Sequence, residues 1–144
     1  MNRNVPPADA PIRRYGAVGV VVRVDRFLVI RRSAQVAAPG AFCFPGGGIE
    51  AGESEEQALV REIHEELGVP IRPVKRVWRH VTRWRVDLAW WLGEIDADAL
   101  LVPNPAEVAA VHWMTPEEML RHPKMLDSNR EFLRALAEGR IALK

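Results

Sequence analysis

The chain has 144 residues, of which 48% are hydrophobic and 27% are charged, and its formal net charge is +1. This length and composition predict one globular domain with its own core, and the small net charge excludes strong electrostatic attraction to long nucleic acid. A single cysteine, Cys43, excludes an internal disulfide and a cysteine-based zinc site. No apolar run approaches the length of a membrane span, and the N-terminus lacks a signal-peptide core, so a cytoplasmic protein without a membrane partner is predicted.

The N-terminal region is expected to differ from the rest of the chain. Residues 1–13 contain three prolines and few large apolar side chains, which predicts a flexible tail. Residues 14–144 are then predicted to form the single domain. Its first strand is predicted over Gly16–Val24, because this run is rich in β-branched residues.

Two arginines follow the second predicted strand. A turn at Asp25 and Arg26 leads into this strand, Phe27–Ile30, and Arg31 and Arg32 end it. Arginine forms strong, charge-assisted hydrogen bonds with phosphate, so Arg31 is a candidate substrate contact. A solvated surface position is the alternative interpretation for both arginines.

A glycine-rich loop and a helix come next, after a short strand at Phe42–Phe44. The loop carries Gly46, Gly47, Gly48 and Gly52. Glycines permit close backbone approaches and conformations that other residues resist. Ser54 and Gln57 have the spacing of a capping box, and Gly68 occupies the position of a C-terminal glycine. The helix is therefore predicted from Ser54 to Leu67.

Two faces of this helix have different chemistry. At about 100° per residue, one apolar stripe is expected to face the core. It consists of Leu59, Val60, Ile63 and Leu67. The adjoining arc holds Glu62, Glu65 and Glu66, whose mutual repulsion a cation would relieve. Carboxylate oxygens are the ligands that magnesium, manganese and calcium prefer, so a divalent-metal site is predicted here.

The region after the helix is predicted to be mostly strand. Prolines in Val69–Val77 indicate an irregular strand or one at a sheet edge. A single alternating strand is predicted over His80–Leu92. Its core side would comprise Thr82, Trp84, Val86, Leu88 and Trp90. Arg83 and Arg85 lie on the other side, where they either bind a polyphosphate or form an ordinary solvated face.

The aromatic residues leave few candidates for stacking on a nucleotide base. Because Trp84 and Trp90 are assigned to the core, the remaining tryptophans are the candidate platforms. These are Trp78, Trp91 and Trp113.

The C-terminal third is predicted to hold one strand and two helices. The strand covers Ala109–Met114, and Thr115 then caps a helix that opens at Pro116. A last amphipathic helix is predicted from about Leu126 to Glu138. Strands, a helix, further strands and two helices in this order predict a mixed sheet flanked by helices.

The glycine-rich loop and acidic helix together resemble the signature of the Nudix hydrolases. The residues that match it are Gly47, Glu53, Arg61, Glu62, Ile63, Glu65, Glu66, Gly68 and Val69. Every specified position agrees in residue type and spacing. The resemblance implies an α/β fold, specifically an α/β/α sandwich with a mixed sheet, and it extends more weakly over about residues 15–120.

The resemblance also implies roles for particular residues. Metal ligands similar to those of the family are the carboxylates of Glu62, Glu65 and Glu66 and the carbonyl of Gly46, with Mg²⁺ as the cofactor and Mn²⁺ as an alternative. Arg61 is expected to orient a carboxylate, and Glu53 resembles the acid that holds Arg61 and the loop. The general base is either one of the motif glutamates or Glu107, which a later loop provides.

The implied activity is hydrolysis of a diphosphate linkage in a small nucleotide. Nucleoside triphosphates and nucleoside diphosphate sugars are comparable as substrates, whereas long nucleic acid is not expected. Two alternatives stay open, a nucleotide-sensing module without catalysis and a diphosphate isomerase. Because Nudix proteins are often dimers, a homodimer is an alternative to a monomer.

Overall fold

The computed structural model describes residues 5–144. The strands in this range are β1 (Arg14–Val20), β2 (Val22–Arg23), β3 (Arg26–Arg32), β4 (Phe42–Cys43), β5 (Gly46–Gly48), β6 (Arg72–Val81), β7 (Val86–Glu94) and β8 (Val108–Met114). The helices are α1 (Glu55–Leu67), α2 (Pro116–Arg121) and α3 (Asp127–Ala137). Among the described residues, no helix is long and apolar enough to cross a bilayer.

The strands form two sheets of four strands each. In the first sheet the order is β5-β1-β7-β6, with β1 parallel to β7 and the other neighbours antiparallel. In the second sheet β3 pairs antiparallel with β2, β4 and β8. The predicted mixed sheet is therefore present.

Helices cover both sides of these sheets. Leu28 and Ile30 of β3 belong to the core cluster that contains the buried side chains of α1. Phe27 and Val29, which alternate with them, belong to the cluster that contains Met119 of α2 and buried residues of α3. Successive side chains of a strand point to opposite faces, so one strand supplies both cores. This is the predicted α/β/α arrangement.

Helix α1 has the predicted ends, but its buried face differs slightly from the prediction. Ser54 and Gln57 form the capping box, and Gly68 ends the helix in the left-handed conformation with φ 69°. Val60 is 39% exposed, so its assignment to the core stripe is wrong, whereas Ala58 is fully buried. The buried arc also includes Glu66, which shifts this face toward the glycine-rich strand β5.

The segment His80–Leu92 is a hairpin, so the prediction of one continuous strand is wrong. β6 ends at Val81 and β7 begins at Val86, and the Thr82 hydroxyl oxygen accepts hydrogen bonds from the amides of Trp84 and Val86, both at 3.3 Å. Polar side chains that bond to nearby backbone in this way favour a turn. Arg85, at φ 63°, completes the change of direction.

Strand β6 matches its prediction as an irregular edge strand. It lies at the end of the first sheet, and its pairing with β7 shifts register between Pro73 and Lys75 and again between Arg76 and Trp78. Proline cannot donate to a ladder, which suits this position.

The first predicted strand is also interrupted. Val21 separates β1 from β2, and the following two-residue turn is Val24–Asp25 instead of Asp25–Arg26. Val24 is 99% exposed and has φ 60°, a conformation that is costly for a β-branched residue.

The N-terminal segment contacts the β6–β7 turn. The Arg85 Nε–H donates to the Ala10 carbonyl at 2.6 Å, and the Arg13 amide donates to the Arg85 carbonyl at 2.8 Å. Residues 1–4 lie outside the described range. The boundary between residues 13 and 14 stays a prediction.

Candidate active site

The glycines of β5 allow the backbone to approach its neighbours very closely. Gly46 has φ 149°, and a Cβ atom on it would lie 2.2 Å from the Ala17 carbonyl oxygen. A Cβ atom on Gly47 would lie 2.3 Å from the carboxyl carbon of Glu62. Neither position accepts a side chain without movement of its surroundings. The glycines thereby allow the Glu62 carboxylate to lie against the backbone of β5.

Three carboxylates from two parts of the chain meet beside this strand. One oxygen from each of Glu62, Glu65 and Glu107 lies within 4.8 Å of the others. The first two come from α1, and the third comes from the loop before β8. Backbone hydrogen bonds hold that loop, because the Glu107 carbonyl accepts from the Ser33 amide and the Glu66 carbonyl accepts from the Asn104 amide.

Glu66 is the most enclosed acid of the site. It is only 6% exposed, and one of its carboxylate oxygens accepts a hydrogen bond from the Gly46 amide at 2.9 Å. Burial, together with the nearby charge of Glu62, raises the pKa of the Glu66 carboxyl to about 8, although the Gly46 hydrogen bond opposes this. The contact involves the amide of Gly46, and the predicted use of its carbonyl as a metal ligand stays a prediction.

The donor set at this site fits a hard divalent cation. Burial also raises the pKa of the Glu62 carboxyl, and the hydrogen bond from Arg61 opposes that change. Two of the carboxylates at this site, those of Glu62 and Glu66, have raised pKa values. The carboxylates repel one another when they are ionised, because they are held close together. A divalent cation with oxygen ligands would remove this repulsion.

Arg61 connects the acidic helix to the glycine-rich segment. Its guanidinium donates to both carboxylate oxygens of Glu53, at 2.7 and 2.9 Å, and to the Gly48 carbonyl at 2.9 Å. It also donates to Glu62 at 2.9 Å. The predicted neighbours Glu53 and Arg61 are therefore in direct contact, and they fix the relative position of the loop and the helix.

A cavity of about 480 Å³ lies beside the carboxylates and shares β5 with them. It is bounded by β1, β5, the β6–β7 turn and the first residues of α3. Its size is within the range of sites for small ligands. The cavity and the acidic cluster together form a site with a strongly anionic end and a larger, partly apolar end.

The structure separates the arginines that were predicted to contact substrate. Arg83 lines the cavity, whereas Arg31 and Arg85 do not. The side chain of Arg85 is turned to Ala10. Arg31 is exposed, and its neighbour Arg32 lines the cavity instead. A register shift between Arg31 and Arg32 in the pairing with β8 accompanies this change of direction.

Tryptophan positions also differ from their predictions. Trp90 is fully buried as predicted, but Trp84 is half-buried and lines the cavity, so its assignment to the core is wrong. Trp78 stacks on His80, the Trp91 indole N–H donates to Glu55, and Trp113 lies under the Arg23 guanidinium. None of these last three tryptophans lines the cavity.

Sequence reasoning missed a further cavity residue, Asn129 in α3. It is 4% exposed, and its side-chain oxygen accepts a hydrogen bond from the Phe44 amide at 2.8 Å. An asparagine within an amphipathic helix is an unfavourable helix residue, which is the one signal that could have drawn attention to it. The sequence contains nothing that links it to Phe44.

Comparisons with known proteins agree with this site and fold. A family model described as the NUDIX domain matches residues 13–136. The chain is 33% identical over 122 residues to a MutT-like protein of Streptomyces ambofaciens, which covers 83% of this chain and 75% of that protein. It is 33% identical over 108 residues to a CTP pyrophosphohydrolase of Escherichia coli strain K12, and this match covers 72% of this chain and 77% of that protein. The solution structure of the E. coli ORF135 protein matches with a TM-score of 0.74 at 28% identity, covering 94% of this chain and 96% of that one.

An α/β/α sandwich with an acidic helix beside a glycine-rich strand defines a hydrolase of phosphate anhydrides, and the matched family model agrees with it. The chain belongs to the Nudix hydrolase family. The resemblance read from Gly47–Val69 is thereby confirmed, as is the predicted class of enzyme.

Proposed function

We propose that this protein hydrolyses a diphosphate linkage in a small nucleotide, with Mg²⁺ as the cation and Mn²⁺ as a substitute. The observation that carries the proposal is the meeting of Glu62, Glu65 and Glu107 within 4.8 Å, beside a cavity large enough for part of a nucleotide. Without a bound cation, these carboxylates would repel a densely anionic diphosphate.

Glu62, Glu65 and Glu66 are the residues that would hold the cation, with the Gly46 carbonyl as a backbone ligand. When bound, such a cation neutralises phosphate charge, polarises a phosphorus–oxygen bond and lowers the pKa of a water ligand. The chain's own contribution is to hold these oxygens together. The glycines of β5 leave room for the Glu62 carboxylate. The bidentate hydrogen bonds from Arg61 to Glu53 orient the helix beside the loop.

Glu107 is the residue that we propose as the general base. It is the acid of the cluster that comes from outside α1, and its loop is held by backbone bonds to Ser33, directly after β3, and to the end of α1. In this role a carboxylate oxygen of Glu107 accepts a proton from the attacking water. A motif glutamate, chiefly Glu66, is the alternative base.

Cationic side chains in the cavity lining would contact the substrate. Arg32 lines the cavity near Glu66, and its guanidinium matches the geometry of phosphate oxygens well, so it would bind the phosphate groups. Arg83 also lines the cavity but lies beside Trp84, farther from the carboxylates. Positioning and charge stabilisation are most of what phosphoryl transfer requires from a protein. Arg31 and Arg85 have no part in this proposal, because their side chains lie elsewhere.

Nucleoside triphosphates are the substrates that we place first, with nucleoside diphosphate sugars second. The similarity to the E. coli CTP pyrophosphohydrolase over most of both chains favours this order. A net charge of +1 gives no support for long RNA or DNA.

A hydrolysis screen tests the proposal. Canonical and oxidised nucleoside triphosphates and nucleoside diphosphate sugars would be incubated with Mg²⁺ or Mn²⁺, and the products identified. Release of pyrophosphate or of a sugar phosphate from one class would support the proposal and name the substrate. Nucleotide binding without turnover would favour a sensing module, and a rearranged product with no hydrolysis would favour an isomerase.

A further inference from the structure

The turn between β6 and β7, residues 82–85, forms one wall of the cavity. Thr82, Arg83 and Trp84 of this turn all line it. Trp84 is half-buried, and the Arg83 guanidinium carbon lies 5.6 Å from the centre of its ring. Val86 and Leu88 line the cavity beside the turn. A large aromatic side chain thus shares the cavity lining with Val86, Leu88 and the Arg83 guanidinium, which pairs with Asp127 at 3.5 Å.

This part of the cavity is separate from the acidic cluster. Gly46, Gly47 and Gly48 line it, whereas Glu62, Glu65 and Glu107 do not. A nucleotide whose phosphates lie at the cluster would therefore extend its base and sugar along β5 into the cavity. A volume of about 480 Å³ is sufficient for those two groups.

The turn is held by its own hydrogen bonds to Thr82 and also by the N-terminal segment. Arg85 has φ 63°, which costs free energy for a residue with a side chain and persists where the surroundings impose it. Here the Arg85 side chain donates to the Ala10 carbonyl, and its own carbonyl accepts from the Arg13 amide. Arg85 is next to Trp84 in the chain, so these two bonds restrict the position of the tryptophan.

We propose that Trp84 is the surface on which the base of the nucleotide stacks, and that the N-terminal segment keeps it there through Arg85. The proposal rests on the proposed function and specifies how that site holds its substrate. Stacking of a base on an aromatic side chain tolerates different bases, because each has a π face. Trp84 is accordingly a binding residue, and Arg85 is a positioning residue.

Steady-state kinetics of Trp84→Ala and Trp84→Phe test the stacking role. For the best nucleotide of the screen, Trp84→Ala should raise KM about tenfold to a hundredfold, while kcat changes less than about threefold. Trp84→Phe should recover most of the loss, because it keeps an aromatic face. Trp113→Phe is the matched control and should leave KM unchanged. A KM for Trp84→Ala within twofold of the original would overturn the proposal.

Arg85→Gly and Arg85→Lys test the positioning role. Glycine accepts φ 63° without strain but removes the contact with Ala10, so KM should rise at least threefold while the melting temperature does not fall. Lysine keeps a donor and should stay near the original KM. If Arg85→Gly changes neither KM nor kcat, the N-terminal segment does not position Trp84.

A direct measurement of nucleotide affinity distinguishes an error in the stacking proposal from an error in the proposed function. The affinity of a nucleotide with a non-hydrolysable methylene linkage would be measured by calorimetry with Mg²⁺ for the original protein and Trp84→Ala. A tenfold loss in Trp84→Ala supports stacking even if no nucleotide is hydrolysed. Equal affinities, or no binding by the original protein, contradict stacking whether or not hydrolysis is found.

Discussion

Arg61 and Glu53 form a bidentate salt bridge, with nitrogen–oxygen distances of 2.7 and 2.9 Å. The pair joins the end of the glycine-rich loop to the middle of α1. Because Arg61 also contacts Glu62 and the Gly48 carbonyl, one guanidinium aligns the loop with the acidic face of the helix. The site therefore depends on an ion pair whose two residues do not line the cavity themselves.

The first prediction concerns the pH dependence of this pair. The hydrogen bonds from Arg61, and then that from the Glu50 amide, lower the pKa of Glu53 from 4.5 to about 2. A carboxyl whose pKa is lowered by folding stabilises the protein above its unfolded pKa, and this stabilisation is lost as the pH falls toward the folded pKa. The free energy of unfolding of Glu53→Gln should thus be below the original at pH 7, and the difference should shrink between about pH 4.5 and 2.

Denaturant unfolding at several pH values would measure this difference. Glu50→Gln is the matched control, since its carboxylate is largely exposed and lies 3.8 Å from Arg61. It should show a much smaller difference at every pH. A difference for Glu53→Gln that stays constant down to pH 2 would contradict the assignment.

Glu66→Gln is expected to remove activity while the fold is retained. The glutamine side-chain oxygen can still accept the hydrogen bond from the Gly46 amide. Burial already favours the neutral form of Glu66 by raising its pKa to about 8, so a neutral amide there does not destabilise the domain. Loss of an anionic ligand should lower kcat by about a hundredfold or more. Kinetics in excess Mg²⁺, together with thermal unfolding, would check both parts. Glu56→Gln, at an exposed position of the same helix, should keep full turnover.

Glu107→Gln tests the assignment of the general base. Removal of a base should lower kcat by about two to four orders of magnitude. The apparent affinity for Mg²⁺ should change little, since the proposed ligands stay in place. An unchanged kcat would exclude Glu107 and favour Glu66. A large loss of Mg²⁺ affinity would instead identify Glu107 as a metal ligand.

Val24→Gly is expected to stabilise the protein. Val24 is the first residue of a two-residue hairpin turn with φ 60°, a position that favours glycine. Relief of the strain should exceed the entropy that glycine adds to the unfolded chain, with a net gain of about 1 kcal/mol. The melting temperature should rise by about 2–4 °C. Val22→Gly, within the adjacent strand, should lower it, and a fall in both variants would show that Val24 is not strained.

Local sequence patterns were sufficient to predict helix α1 and its acidic face. The capping box at Ser54, the left-handed Gly68 and the glutamates of α1 all follow from interactions within a few residues, and each was predictable from spacing alone. The mixed sheet with helices on both sides also followed from the order of the elements.

The sequence was ambiguous where two structures shared one pattern. The alternation from His80 to Leu92 suits one long strand or a hairpin, and the Thr82 hydroxyl bonds that select the hairpin are visible only in the structure. Val60 similarly lies at the margin of the apolar stripe of α1. It is exposed because the sheet covers only a narrower face of that helix.

Tertiary structure alone decided which distant residues meet at the cavity. Glu107 joins the carboxylates of α1 because its loop is held to Ser33, directly after β3, and to the end of that helix. Arg32 replaces Arg31, and Trp84 lines the cavity, because strand register and a turn set their directions. Such placements depend on contacts between residues far apart in the chain, which periodicity and spacing do not encode. The sequence by itself therefore determined the acidic helix and its reaction, whereas tertiary packing decided what surrounds the substrate.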